Sequence, residues 1–173
     1  MVKKGGHIIL VGMSGAGKTT IGKRLSMKLE YPFVDTDDHI EAQCNKSISE
    51  IFQSEGEAEF RRHESQLMDE LENAESSVIS VGGGLPCHNK NMTRLLSMGI
   101  VIYLEVTVRE LCQRLSQDQT NRPLYRDVSE HQLIGHTSDL LNKRNSTYLE
   151  SDVVIESDYS VEEILDKILM TIS

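Results

Sequence analysis

Eight residues near the amino end, Gly12 to Thr19, constrain this chain more than any others. Gly12-Met13-Ser14-Gly15-Ala16-Gly17-Lys18-Thr19 satisfies the pattern G-x-x-x-x-G-K-S/T at every fixed position. It follows the apolar run His7 to Val11, which reads as a buried parallel strand, and precedes an amphipathic pattern of Ile21, Leu25 and Met27 to Leu29, which reads as a helix. A strand, a glycine-rich turn and a helix in that order make a phosphate cradle. The glycines let the backbone curl so that successive N–H groups face phosphate oxygens, and the amino end of the helix adds its dipole. Lys18 then reaches the β and γ phosphates of a nucleotide, and Thr19 offers its hydroxyl to Mg2+. Gly12, Gly15, Ala16, Gly17, Lys18, Thr19 and Thr20 are the candidate nucleotide-binding residues, although Thr20 taken alone reads only as helix.

The rest of the chain keeps alternating strand and helix signals. Pro32 restarts the chain after the first helix, and Phe33-Val34-Asp35 reads as a second strand. Residues 37–45 read as helical, and Ser47 or Ser49 can cap a long helix over about 50–75, with Gly56 as a local breaking point. Val78 to Val81 reads as a third strand closed by Gly82-Gly83-Gly84, and a helix near 90–98 leads to a fourth strand, Ile100 to Leu104. After a short helix over about 107–115, residues 116–127 are polar and without period, and read as a mobile loop. A helix over Leu140 to Leu149, a strand Val153 to Ile155 and a last helix Val161 to Ile172 follow. Strands alternating with helices at this spacing imply a three-layer α/β fold around a parallel sheet.

A length of 173 residues suits one compact domain, and 26% charged with 38% hydrophobic residues is a globular composition. The net charge of −9 argues against nucleic acid as a partner, because neutralising phosphates along a duplex or strand needs a basic surface. An acidic protein that handles an anionic substrate must instead gather its few arginines in a cleft. Cys44, Cys87 and Cys112 are an odd, scattered set, which suits reduced thiols in the cytoplasm rather than a disulfide framework or a zinc pattern. The six histidines show no metal-ligand spacing and read as core or surface residues. The apolar run at His7 is too short for a signal segment or a membrane span. The expectation is a monomer free of membrane.

A phosphate loop does not by itself separate GTPases, motor ATPases and small-molecule kinases. No Asn-Lys-x-Asp guanine reader is present; Asn89-Lys90-Asn91-Met92 and Asn142-Lys143-Arg144-Asn145 both lack the aspartate. Asp35-Thr36-Asp37-Asp38 ends the second strand, at the carboxyl edge where open α/β sheets bind ligands. One carboxylate there can serve the Mg2+ shell, and another can accept hydrogen bonds from an acceptor hydroxyl and take its proton. The plainer alternative is that these aspartates cap the next helix.

Asp35-Thr36-Asp37, Phe60-Arg61-Arg62-His63-Glu64, Gly82-Gly83-Gly84, Arg122-Pro123-Leu124, and Arg144 followed by Tyr148 stand in this order behind the phosphate loop. Along nearly the whole chain this set resembles the shikimate kinase family. The resemblance implies phosphorylation of the 3-hydroxyl of shikimate by ATP with Mg2+, in aromatic amino-acid precursor synthesis. It also implies a five-stranded sheet ordered 2-3-1-4-5 with an acceptor region at about 33–62 and a lid at about 114–127. Asp37 would then bind the acceptor hydroxyls and act as base, and Asp35 would join Thr19 at the magnesium ion. Arg61 and Arg144 would grip the acceptor carboxylate, and Gly83 and Gly84 would meet the acceptor through backbone N–H groups. Arg122 would close over the phosphates, with Arg114 beside the adenine.

Alternatives remain at single residues. Arg61 can equally pair with Glu57 or Glu64 on its own helix, and Arg144 can be an exposed helix charge. Tyr125 departs from the aliphatic residue more usual after Arg-Pro-Leu. A gluconate-kinase-like enzyme, adenylate kinase and a nonenzymatic nucleotide-binding module are the rival readings.

Overall fold

The structure is a computed structural model that describes residues 6–117, 130–156 and 159–172. Five strands, β1 (His7–Val11), β2 (Phe33–Asp35), β3 (Val78–Ser80), β4 (Gly99–Glu105) and β5 (Val153–Glu156), form one sheet ordered β2-β3-β1-β4-β5. Every pairing is parallel, as the alternation of strand and helix implied. β1 is central and buried over all five residues, which explains its unbroken apolar run: helices cover both faces, so no position faces water. Its one polar member, His7, is satisfied inside the core. Nδ1 meets the Ser77 hydroxyl at 2.9 Å, and Nε2 lies 3.0 Å from the Leu71 carbonyl.

The helices are α1 (Lys18–Leu29), α2 (Thr36–Cys44), α3 (Ile48–Ser54), α4 (Glu57–Glu72), α5 (Asn91–Met98), α6 (Val108–Gln117), α7 (Glu130–Tyr148) and α8 (Val161–Ile172). α1 buries Ile21 and Leu25 against the sheet, each such side chain contributing about 1.5–3 kcal/mol. It stops at Glu30 in the left-handed conformation, just before Tyr31-Pro32. The segment expected as one long helix over 50–75 is two. α3 starts on a capping box between Ser47 and Glu50, and α4 starts after Gly56, whose φ of 86° no helix can continue.

One element was not foreseen and one expectation is corrected. A 3₁₀ turn at Leu85–Cys87 follows the triple glycine, and α7 begins at Glu130 rather than near Leu140. The early turns of α7 bury only Leu133 and Thr137 and expose Ile134, Gly135 and His136, so they carry little amphipathic signal. Most of the expected loop at 116–127 lies outside the described residues. Among the described residues no helix is long and apolar enough to cross a membrane.

Candidate active site

The strand order decides which loops meet. β3 lies between β2 and β1, with Ser80 in register with both Asp35 and Leu10. The segments that leave the carboxyl ends of these three strands therefore emerge side by side. They are the phosphate loop after Val11, Thr36-Asp37-Asp38 after Asp35, and Gly82-Gly83-Gly84 after β3.

In the phosphate loop Gly12, Gly15 and Gly17 hold φ of 143°, 86° and 91°, conformations a side chain would strain, and Gly17 caps α1 in the left-handed region. The Ala16 N–H donates to the Met13 carbonyl at 3.1 Å, closing the turn. Lys18 is buried and folds back over the loop, donating to the Gly12 and Met13 carbonyls at 2.9 Å each. Thr19 points toward β2 and donates its hydroxyl to Asp35 Oδ2 at 2.7 Å. Thr20 is exposed on α1.

The helix-capping reading of Asp35 holds. Its Oδ1 caps α2 by accepting from the Asp37 N–H at 3.1 Å and the Asp38 N–H at 3.4 Å, while Oδ2 stays beside Thr19. Between the two aspartates, Thr36 is fully buried, and its hydroxyl accepts from the Gly82 N–H at 2.8 Å. That bond ties the second strand's exit to the glycine turn and turns Asp37 toward it. A Cβ on Gly82 would collide with Asp37 Oδ1. Burial, then the neighbouring charge of Asp35, push the Asp37 carboxyl up from 3.8 to about 6.

The other side of the turn is cationic. A Cβ on Gly84 would lie 3.1 Å from Arg61 Nη2 and 3.3 Å from Arg144 Nη2, and one on Gly83 would lie 3.2 Å from Arg144 Nη1. Arg144 is thus no outlying helix charge. Arg61 does form the ion pairs considered for it, with Glu64 at 2.6 Å and Glu57 at 3.1 Å, yet its guanidinium still faces the glycine turn. Glu64 is 2% exposed, and burial raises its carboxyl pKa, with Arg61 opposing that rise. Tyr148, fully buried, donates to the Gly83 carbonyl at 2.6 Å and packs its ring 5.1 Å from that of Tyr103. α7 therefore supplies both Arg144 and a strut that holds the turn.

Thr36, Gly82 and Tyr148 received no site role from the sequence, since their partners are distant along the chain, and Glu64 stood there only as an ion-pair partner of Arg61 on its own helix. Arg114 donates to the Gly15 carbonyl at 3.3 Å and pairs with Glu110, so it lies against the phosphate loop. Arg122 and Tyr125 lie outside the described residues. A cavity of about 270 Å3 opens near the ends of β4 and β5, but Glu105, Glu110 and Glu156 line it, which makes it no seat for phosphate.

The model of one protein family, shikimate kinase, matches residues 14–173. The chain belongs to the shikimate kinase family. The shikimate kinase of Parabacteroides distasonis is 36% identical over 157 residues, 91% of each chain. A solved shikimate kinase from Acinetobacter baumannii, in complex with shikimate, superposes with a TM-score of 0.87 at 36% identity, over 96% of this chain and 92% of that one. A gluconokinase from Sinorhizobium meliloti, 17% identical with a TM-score of 0.66 over 96% of this chain and 91% of that one, shares the fold alone. Membership in the shikimate kinase family carries use of ATP with it.

Proposed function

We propose that this chain transfers the γ-phosphoryl group of ATP to the 3-hydroxyl of shikimate, releasing ADP and 3-phosphoshikimate for aromatic amino-acid (chorismate) biosynthesis. The observation that carries this reading is the convergence of Asp37, Arg61 and Arg144 on one glycine turn beside the phosphate loop. A carboxylate and two guanidiniums around a floor without side chains suit a small acceptor that bears hydroxyls and an acid group.

Arg61 and Arg144 grip the acceptor carboxylate, and Glu64 holds Arg61 in place from beneath. The N–H groups of Gly83 and Gly84 approach the acceptor closely, and Asp37 accepts from its hydroxyls. As the acceptor oxygen bonds to the γ phosphorus and the bond to the bridging oxygen of ADP breaks, Asp37 takes the hydroxyl proton. The carboxyl value near 6 leaves it ionised, and basic enough to do so, at neutral pH. Lys18 leaves the Gly12 and Met13 carbonyls for the β and γ phosphates, an exchange of hydrogen-bond partners within the same loop. Gly12, Gly15, Ala16 and Gly17 cradle the phosphates, with Thr20 at the edge, and Arg114 flanks the adenine side. Arg122 closes over the transferring group as the lid arginine.

The oxygens of Thr19 and Asp35, 2.7 Å apart, fit Mg2+, a hard ion that takes one or two protein oxygens and completes its shell with water and phosphate. When bound, that ion offsets the negative charge on the β and γ phosphates. Asp35 serves its outer shell. The chain is expected to act as a cytoplasmic monomer.

ADP release is the test, with ATP, Mg2+ and each of shikimate, quinate, gluconate and AMP, and Lys18→Ala as the blank. Turnover with shikimate alone supports the reading. Turnover with gluconate, or ATP binding without turnover on any acceptor, overturns it.

A further inference from the structure

Glu59 and His63 lie on the face of α4 roughly opposite Arg61, because two residues turn a helix by about 200°. There they meet Cys44, the last residue of α2, and Glu55, which caps the end of α3. Cys44 Sγ lies 3.5 Å from His63 Nε2. The same nitrogen is 3.9 Å from Glu55 Oε2 and 3.8 Å from Glu59 Oε1, and these three atoms all lie within 4.8 Å of one another.

We propose that Cys44, Glu55, Glu59 and His63 bind a divalent ion of the zinc type, separate from the Thr19 and Asp35 position. Bonds of about 2.0–2.3 Å at tetrahedral angles hold donor atoms about 3.3–3.6 Å apart. The sulfur and nitrogen already stand at that separation, the two carboxylate oxygens lie 3.8 and 3.9 Å from the nitrogen, and closing all four donors on one ion takes rotation of the side chains. Mixed sulfur, nitrogen and oxygen donors favour zinc or cobalt over Mg2+ and Ca2+, which take oxygen.

Two cations sit on these carboxylates. Lys46 holds Glu55 by Oε1 at 2.5 Å and leaves Oε2 facing His63, so it can orient the carboxylate from outside without leaving. Arg62 pairs with the Glu59 oxygen that faces His63, but its side chain is 59% exposed, and giving up such a surface pair costs little. A bound ion would tie α2, α3 and α4 together across the break at Gly56. α2 carries Asp37 and α4 carries Arg61, so the ion braces the acceptor side of the cleft.

The full chain, stripped by chelator and kept reduced, is titrated with Co2+ in the absence of nucleotide. One equivalent is expected to bind with the near-ultraviolet absorption of a sulfur-to-cobalt bond. The band should vanish in Cys44→Ser, persist in Cys87→Ser, and need about tenfold more Co2+ or above in His63→Gln. Zn2+ should displace the cobalt and raise the melting temperature of the stripped protein. Glu59→Gln, at a partly exposed position, repeats the weakening should Cys44→Ser fold poorly. Absence of the band from the unsubstituted protein, or a band unchanged in Cys44→Ser and His63→Gln, overturns the site.

Discussion

Asp37→Asn is expected to stabilise the protein while removing its activity. Burial and the charge of Asp35 raise the Asp37 carboxyl from 3.8 to about 6. A shift of about two units corresponds to about 3 kcal/mol at about 1.4 kcal/mol per unit. Between those two values the folded protein holds more of this proton than the unfolded chain does, so this group makes stability fall as pH rises. Its cost is complete above pH 6 and absent below pH 3.8. Asparagine keeps the shape and carries no charge, so at pH 8 the variant should gain up to about 3 kcal/mol, or about 6–12 °C in melting temperature for a chain of this size. Urea unfolding of both proteins at pH 8, 6 and 4.5 measures the gap, which should stay near its full size down to about pH 6 and narrow between pH 6 and 4.5. Turnover should drop by about 10²–10⁴ with ATP binding intact. A variant no more stable than its parent at pH 8, or a gap that does not shrink with acid, refutes the reasoning about burial.

In the unsubstituted protein kcat/KM for the acceptor is expected to fall below pH 6 as Asp37 takes up its proton, and a profile flat to pH 5 would remove it as the base. Arg144→Ala should raise the acceptor KM far more than that of ATP; equal effects would undo the clamp. Gly82→Ala drives a Cβ into Asp37 Oδ1 and should lower kcat with little change in ATP KM, as steady-state kinetics would read. Tyr148→Phe loses the bond to the Gly83 carbonyl, with an expected cost of about 1 kcal/mol by denaturation and a raised acceptor KM, while an unchanged KM would make the tyrosine a packing residue only.

The parts of the fold that could be read beforehand are those whose cause is local. The phosphate loop, β1 and β2 depend on glycine spacing and short apolar runs, and α8 on a clean apolar stripe. α7 resisted because its first turns bury only Leu133 and Thr137, so nothing in their spacing marks a helix. The site divides in the same way. Asp35 and Asp37 stand out as paired acids after a strand, whereas Thr36 looks like filler until its hydroxyl is seen to hold Gly82 across the sheet. Glu64 reads as an ordinary helix charge, and only the packing of α4 shows it buried under Arg61. The capping alternative leaves room for the proposed magnesium role: Asp35 caps α2 with one oxygen and meets Thr19 with the other.

The most direct test of the whole account is the identity of the product. Shikimate incubated with ATP, Mg2+ and this protein is followed by phosphorus–proton correlation NMR. The account predicts one phosphate ester, coupled to the proton on carbon 3, formed in step with ADP. Phosphate on another hydroxyl, or free inorganic phosphate in place of an ester, would contradict it.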